Sequence, residues 1–323
     1  MTIVITGAAG NLGRLVVQRL HRDEPIVAFD RRPLGGLPKD VEVRRTDSRW
    51  KALEEVLRHQ EVSAVVHLGL MHNPRHDVRS YRFNVVGTQQ LLELVAKHGV
   101  PKLVHLSSAN IYGPDPDNSH FLTEDSPLLG AEHHPEIRDL VAVDTIVQAF
   151  FYRRPETRTV LLRPVHIVGP RVRNAPSNYL RLERPWVLTG FDPLVQLIHE
   201  EDMVEAIRCA VRTDVRGVFN VVGPGVAPLS RVLDVLGRRR RSIPPFLARP
   251  ALRGAWRLRT SSFPPPELRH VQYHCVVDGG AARDILGFEP RYSLVETIRS
   301  VEGRELPFEN LNVDDTRDTS RPP

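Results

Sequence analysis

The chain has 323 residues, 44 basic and 39 acidic side chains, 41% apolar residues and two cysteines. That composition fits a globular protein of one large or two moderate domains and excludes a fibre, a mini-protein or a disordered tail. The net charge of +5 is uneven: residues 231–260 hold nine arginines against one acid, Asp234, so the remainder sums to −3 and a general nucleic-acid binder is excluded.

No run approaches the roughly 18 apolar residues that cross a bilayer, and strand-like sequence begins at Thr2 with no charged leader, so a cytoplasmic location is expected. Cys209 and Cys275 are too few for a disulfide framework and have no metal-ligand spacing. His133 and His134 sit in a polar loop without a further ligand at helical spacing, so no metal site is expected.

In chain order, short β-branched runs alternate with amphipathic segments, the pattern of βα units on a parallel sheet. Strands are predicted at residues 2–6, 25–30, 41–45, 63–68, 102–107 and 159–163, with helices at 11–21, 50–59, 77–98 and 137–152. Beyond Pro164 the rhythm loosens: a helix over 200–212, a strand over 217–222 and a basic amphipathic helix over 249–259. Residues 261–266 (SSFPPP) read as extended or turn, and 305–323 as a polar, disordered tail.

Between the first strand and the first helix stands TGAAGNLG, with Gly7, Gly10 and Gly13 three apart. Glycine there permits a tight turn, lets amides approach a pyrophosphate and lets the helix pack on the sheet. Asp30 ends the next strand 23 residues after Gly7, where a carboxylate accepts from ribose hydroxyls and repels a 2′-phosphate, favouring NAD; Arg31 and Arg32 after it leave NADP open.

With these residues the chain resembles the extended short-chain dehydrogenase/reductases, the NAD-dependent epimerase/dehydratase family. Asp47, the segment His67-Leu68-Gly69, Asn84 in FNVVGT, SSANIYG at 107–113, LRPVHIVGP at 162–170, IHEED at 198–202 and LGFEP at 286–290 carry the resemblance over residues 1–302. It implies an α/β fold: a Rossmann-type doubly wound parallel sheet over 1–164, completed by about 198–222, with a smaller C-terminal substrate-binding region from 165–197 and 223–304. The cofactor-binding set it implies is Gly7, Ala9, Gly10, Asn11, Leu12, Gly13, Asp30, Arg31, Asp47, Ser48, Leu68, Gly69, Leu70, Asn84, Ser107 and Pro164. Substrate contacts fall on Tyr112, His166, Arg171 and Asn174, and a homodimer is also implied.

The family's serine falls at Ser108, but its YxxxK pair is missing. Leu140 and Asp144 take the tyrosine and lysine positions, Gln148 follows where glutamate is frequent, and no tyrosine in the chain has a lysine four residues on. Lys39, Lys51, Lys97 and Lys102 are the only lysines. Bringing a phenol from about 10 to about 7 takes roughly 4 kcal/mol. Leucine cannot titrate, and an aspartate opposes a tyrosinate. The dehydratase variant is set aside because Ala109 and Asn110 stand where it carries an acid and a base.

Two readings remain open: an epimerase-like enzyme acting on a nucleotide sugar or related alcohol/ketone, with Ser108, His166 and Asp144 as catalytic candidates, or a non-catalytic NAD(H)-binding regulator or scaffold. For the Arg-rich 231–260 segment, a solvated face or subunit contact, a membrane surface and nucleic acid are the alternatives, the last without a supporting signature.

Overall fold

Strands covered on both faces need apolar side chains on both, and the first strands have them. In the computed structural model, which describes residues 1–46, 50–71, 78–133, 137–258 and 265–303, β1 (Thr2–Thr6) and β2 (Ile26–Asp30) are almost wholly buried. They are followed by β3 (Glu42–Arg45), β4 (Val62–His67), β5 (Lys102–Leu106), β6 (Arg158–Pro164), β7 (His166–Val168), β8 (Trp186–Leu188), β9 (Leu194–His199), β10 (Gly217–Val221), β11 (Val226–Pro228) and β12 (Arg241–Ile243). Seven form one parallel sheet in the order β10-β6-β5-β4-β1-β2-β3.

The order reverses at β1: the chain runs outward to β3, then crosses back to place β4 on the other side of β1. Ligands in open α/β sheets bind beyond the carboxyl ends of the strands at such a reversal. The residues there are the Gly7 turn and Leu68-Gly69. This is the doubly wound Rossmann-like α/β fold that the sequence pattern predicts.

Two apolar layers cover the sheet. Leu15, Val16 and Leu20 of the helix Asn11–Leu20 pack with Met203 and Ile207 of the helix Glu200–Arg212 on one face. Leu53, Leu91, Val95 and Val147 cover the other. A third cluster, around Leu197, Val232, Leu233 and Ile298, is the core of the C-terminal part, which contains the small sheets β11-β9-β7 and β12-β8. The Asp202 carboxylate fastens the last segment by accepting from the amides of Arg291 (3.0 Å) and Tyr292 (3.3 Å).

Three details depart from the sequence pattern. The predicted helix over 77–98 is described from Val78 and contains a π-helical turn, Arg82–Val86, which shifts the hydrogen-bond ladder at Asn84. The basic helix runs Pro245–Arg257, opened by proline in its first turn, where the missing N–H costs no bond. Pro265 and Pro266, expected to be extended or turn, begin a 3₁₀ helix, Pro265–Val271. Asp47, Ser48, His134 and the predicted tail over 305–323 lie outside the described residues.

Beneath the reversal point two histidines are buried side by side, with ring centroids 5.2 Å apart. His67 bonds Thr6 Oγ1 (2.6 Å) and Thr88 Oγ1 (3.2 Å), whereas neither nitrogen of His105 has a partner among the described residues. Burial holds His105 down at about 3 and His67 well below the ordinary range. His166 and His199 are held at about 4 by the same cause.

Below pH 6.5 the unfolded chain takes up protons that the native state refuses, so stability falls as pH drops from 6.5 toward 4. Asp202 acts oppositely, because burial raises it to about 6, but it is one group against four. The urea midpoint is therefore expected to be lower at pH 5 than at pH 7.5, and His105→Phe to flatten that slope. Equal midpoints at the two pH values would contradict this account.

Candidate functional site

The glycine turn is built by the chain's own close approaches. Gly7 has φ +77°, and a Cβ there would lie 2.7 Å from the Gly69 nitrogen; at Gly13 it would lie 2.2 Å from the Gly7 carbonyl oxygen. Both positions exclude any side chain. The Gly10 amide donates back to the Gly7 oxygen at 3.0 Å. Gly10 leads into the helix whose first residues are Asn11 and Leu12, so its amides face the end of the sheet.

Asp30, 7% exposed, locks this turn to β2. Its Oδ2 accepts from the Ala9 amide (2.9 Å) and its Oδ1 from the Arg32 amide (2.8 Å), while the Arg32 guanidinium reaches both oxygens at 3.3 and 3.4 Å. Burial pushes the carboxyl upward, but those bonds outweigh it and hold Asp30 below the ordinary range. Beside it opens a cavity of about 420 Å³, whose wall includes Arg31, Thr46, Trp50, Phe83 and Gly87. The Arg31 guanidinium lies 5.3 Å from the Phe83 ring centre.

Leu68, Gly69 and Leu70, half-buried, continue β4 into the same end of the sheet. Asn84 is expected on the cofactor, yet it is buried and its amide clasps the chain after β4. It accepts from the Met71 N–H at 2.7 Å and donates to the Met71 oxygen at 2.9 Å. A larger cavity of about 470 Å³ lies elsewhere, between residues 222–226 and 277–290, and includes none of the expected site residues.

At the positions where the family has tyrosine and lysine, Leu140 is buried and Asp144 is fully buried on the helix Arg138–Arg153. Asp144 is saturated. Arg163 Nη2 donates to Oδ1 (2.7 Å) and Nε to Oδ2 (3.1 Å), Ser107 Oγ donates to Oδ2 (2.6 Å), and Gln148 Nε2 donates to Oδ1 (2.7 Å). Asp144, expected as an acid/base candidate, has both oxygens committed to a buried ion pair and its hydrogen bonds. Ser107, assigned to the cofactor, spends its hydroxyl on the same carboxylate.

The network continues through Arg163 Nη1, which donates to the Tyr112 hydroxyl (2.8 Å) and the Glu124 carbonyl (2.9 Å). Tyr112 in turn donates to Asn220 Oδ1 at 2.8 Å. Burial pushes its phenol up to about 12. Tyr112, expected to touch substrate, is thus an interior residue, 1% exposed. Glu124 and Asn220 were invisible as members of this group, because no spacing in the sequence links residues 124, 163 and 220.

Two further substrate candidates are engaged locally. Arg171 Nε bonds Glu200 Oε1 at 2.9 Å, and its guanidinium also meets Glu201. Asn174 caps the helix Ala175–Leu180 in a capping box with Ser177 and donates to the Ile167 carbonyl (2.7 Å). What stays partly open is Ser108, which accepts from the Asn110 amide at 3.2 Å, and His166, with the His270 ring 5.9 Å away. Pro164 closes β6 directly before His166.

Residues 3–222 match the NAD dependent epimerase/dehydratase family. The chain belongs to that family. Over 314 residues it is 27% identical to an uncharacterized protein of Mycobacterium bovis, covering 92% of this chain and 82% of the relative. It is 32% identical to UDP-glucose 4-epimerase 4 of Oryza sativa subsp. japonica over 216 residues, 61% of this chain and 56% of that enzyme.

Among solved structures, MoeE5 in complex with UDP-glucose and NAD superposes with a TM-score of 0.73 at 22% identity over 94% of this chain and 98% of that one. The UDP-glucose 4-epimerase of Thermus thermophilus, in complex with NAD, gives 0.74 at 20% identity over the same shares. At these identities the likeness establishes the fold.

Removing one member of a buried ion pair strands the other, a loss of about 3–5 kcal/mol. Asp144→Leu and Arg163→Leu are each expected to lower unfolding stability by that order, and the double variant by less than the sum of the two. Additive losses in urea unfolding would show that the two side chains do not act as a pair.

Proposed function

We propose that this chain binds NAD beyond β1 and β4 and a nucleotide-sugar-class ligand in the adjoining cleft, and that it does so without tyrosine-driven epimerase turnover. The observation that carries this reading is the Asp144–Arg163 pair beside Leu140: the positions that drive the proton shuttle are filled by an inert side chain and a saturated carboxylate.

The residues present fit the cofactor. The turn at Gly7, Gly10 and Gly13 brings backbone amides to the helix N-terminus for a diphosphate. Arg31, next in the chain to Asp30, lines a cavity with aromatic walls suited to an adenosine end. NAD, when bound, supplies a hydride acceptor. The nucleotide-sugar class rests on family membership and on relatives such as the rice UDP-glucose 4-epimerase. Of the expected catalytic residues, Ser108 and His166 are partly exposed and open to that ligand.

One observation favours a second reading, in which the protein turns over slowly. His166 and Ser108 are both partly exposed, and burial keeps the His166 imidazole neutral at pH 7 by holding it at about 4, which also weakens it as a base and so limits any turnover to a slow rate.

Isothermal titration calorimetry is expected to show NAD binding, lost at least tenfold in Gly10→Val, where a larger side chain meets the Gly7 oxygen. Incubation of NAD-loaded protein with UDP-glucose or UDP-glucuronic acid is expected to give no epimer and no NADH absorbance. Product formation abolished by His166→Ala would establish the second reading instead. Absence of NAD binding by folded protein would overturn both.

A further inference from the structure

The Arg-rich segment plays no part in the dinucleotide site, and the structure gives it a shape. The helix Pro245–Arg257 turns Ala248, Leu252, Ala255 and Trp256 toward the protein. On another side Leu247 and Leu258 are 50% and 75% exposed, with Ala251 and Gly254 between them at helical spacing, and Phe246 is 75% exposed at its start. Arg249, Arg253 and Arg257, four residues apart, lie between the buried face and that apolar stripe. None of the three forms an ion pair with a described residue. Asp234, the one acid of residues 231–260, is already engaged by Arg240 at 3.1 Å. Close by in the chain, Arg241 lies 5.5 Å over the ring of Trp186, itself 51% exposed.

We infer that this helix docks the protein on an anionic phospholipid surface. A row of cations beside a water-exposed apolar stripe is the arrangement of a helix lying in the plane of a membrane interface. The leucines enter the headgroup–acyl boundary and the guanidiniums stay with the lipid phosphates. A nucleic acid would use the cations and leave the stripe in water. Charge complementarity selects the lipid's sign: the positive excess is confined to this segment while the rest of the chain is net negative. Among the described residues no helix is long and apolar enough to cross a membrane, so the contact is peripheral.

The full chain is tested by sedimentation with vesicles of phosphatidylcholine alone and of phosphatidylcholine with phosphatidylglycerol. Binding is expected only to the anionic vesicles, and to weaken steeply as salt rises from about 0.05 to about 0.5 M. Each arginine near such a surface is worth about a factor of five, so Arg249→Gln/Arg253→Gln/Arg257→Gln is expected to weaken partition about a hundredfold. Leu247→Ser/Leu258→Ser should weaken it at least tenfold at unchanged charge.

These side chains are exposed, and unchanged NAD binding and urea midpoint verify folding. The inference is overturned if anionic vesicles are not bound, if binding ignores the leucine pair, if a DNA duplex competes at equal phosphate, or if the same variants instead dissociate a dimer in light scattering.

Discussion

The guanidinium of Arg163 is the fixed point of this molecule. It stands on β6 with essentially no exposure, and a charge so placed persists only if paired and hydrogen-bonded on every side. Its partners come from separate parts of the chain: Asp144 from the helix Arg138–Arg153, Tyr112 from the turn after β5, the Glu124 carbonyl from the following loop, and, through Tyr112, Asn220 on β10. The edge strand, the helix over the sheet and the loop carrying Glu124 are therefore held together by one buried cation.

This arrangement explains how a family fold persists where its proton shuttle does not. A lysine at 144 would face Arg163 at ion-pair distance, two like charges in a low-dielectric interior. The aspartate inverts that interaction, so the two buried side chains attract. Gln148 adds a bond to the same carboxylate without a second negative charge. Ser107 is drawn in as a donor, while Ser108 and His166 stay partly exposed.

Other candidate positions are also engaged by neighbouring groups of the protein. Arg171 is held by Glu200 and Glu201, and Asn174 spends both ends of its amide on a helix cap and a carbonyl. At the dinucleotide turn the geometry is that of an open loop at a helix N-terminus. The glycines that cannot bear a Cβ, the Asp30 carboxylate bonded to the turn it supports, and the cavity beside Arg31 all lie beyond the strands where the winding reverses.

The sequence by itself determined the elements and the dinucleotide turn, because both are written in local chemistry: β-branched runs for buried parallel strands, and glycines where a tight turn needs them. It also determined that no tyrosine and lysine are paired, since that is a matter of spacing along a helix. Only the tertiary structure decided what replaced the pair. Residues 112, 124, 144, 163 and 220 are joined by parallel strand pairing and helix packing over as many as 108 positions of sequence, and no periodicity records which polar groups will face one another in the interior. Four of the five strands in the small sheets after Pro164 are illegible in the sequence for a related reason: at three residues they are too short to show an alternation, and they exist because neighbours distant in the chain supply their hydrogen bonds.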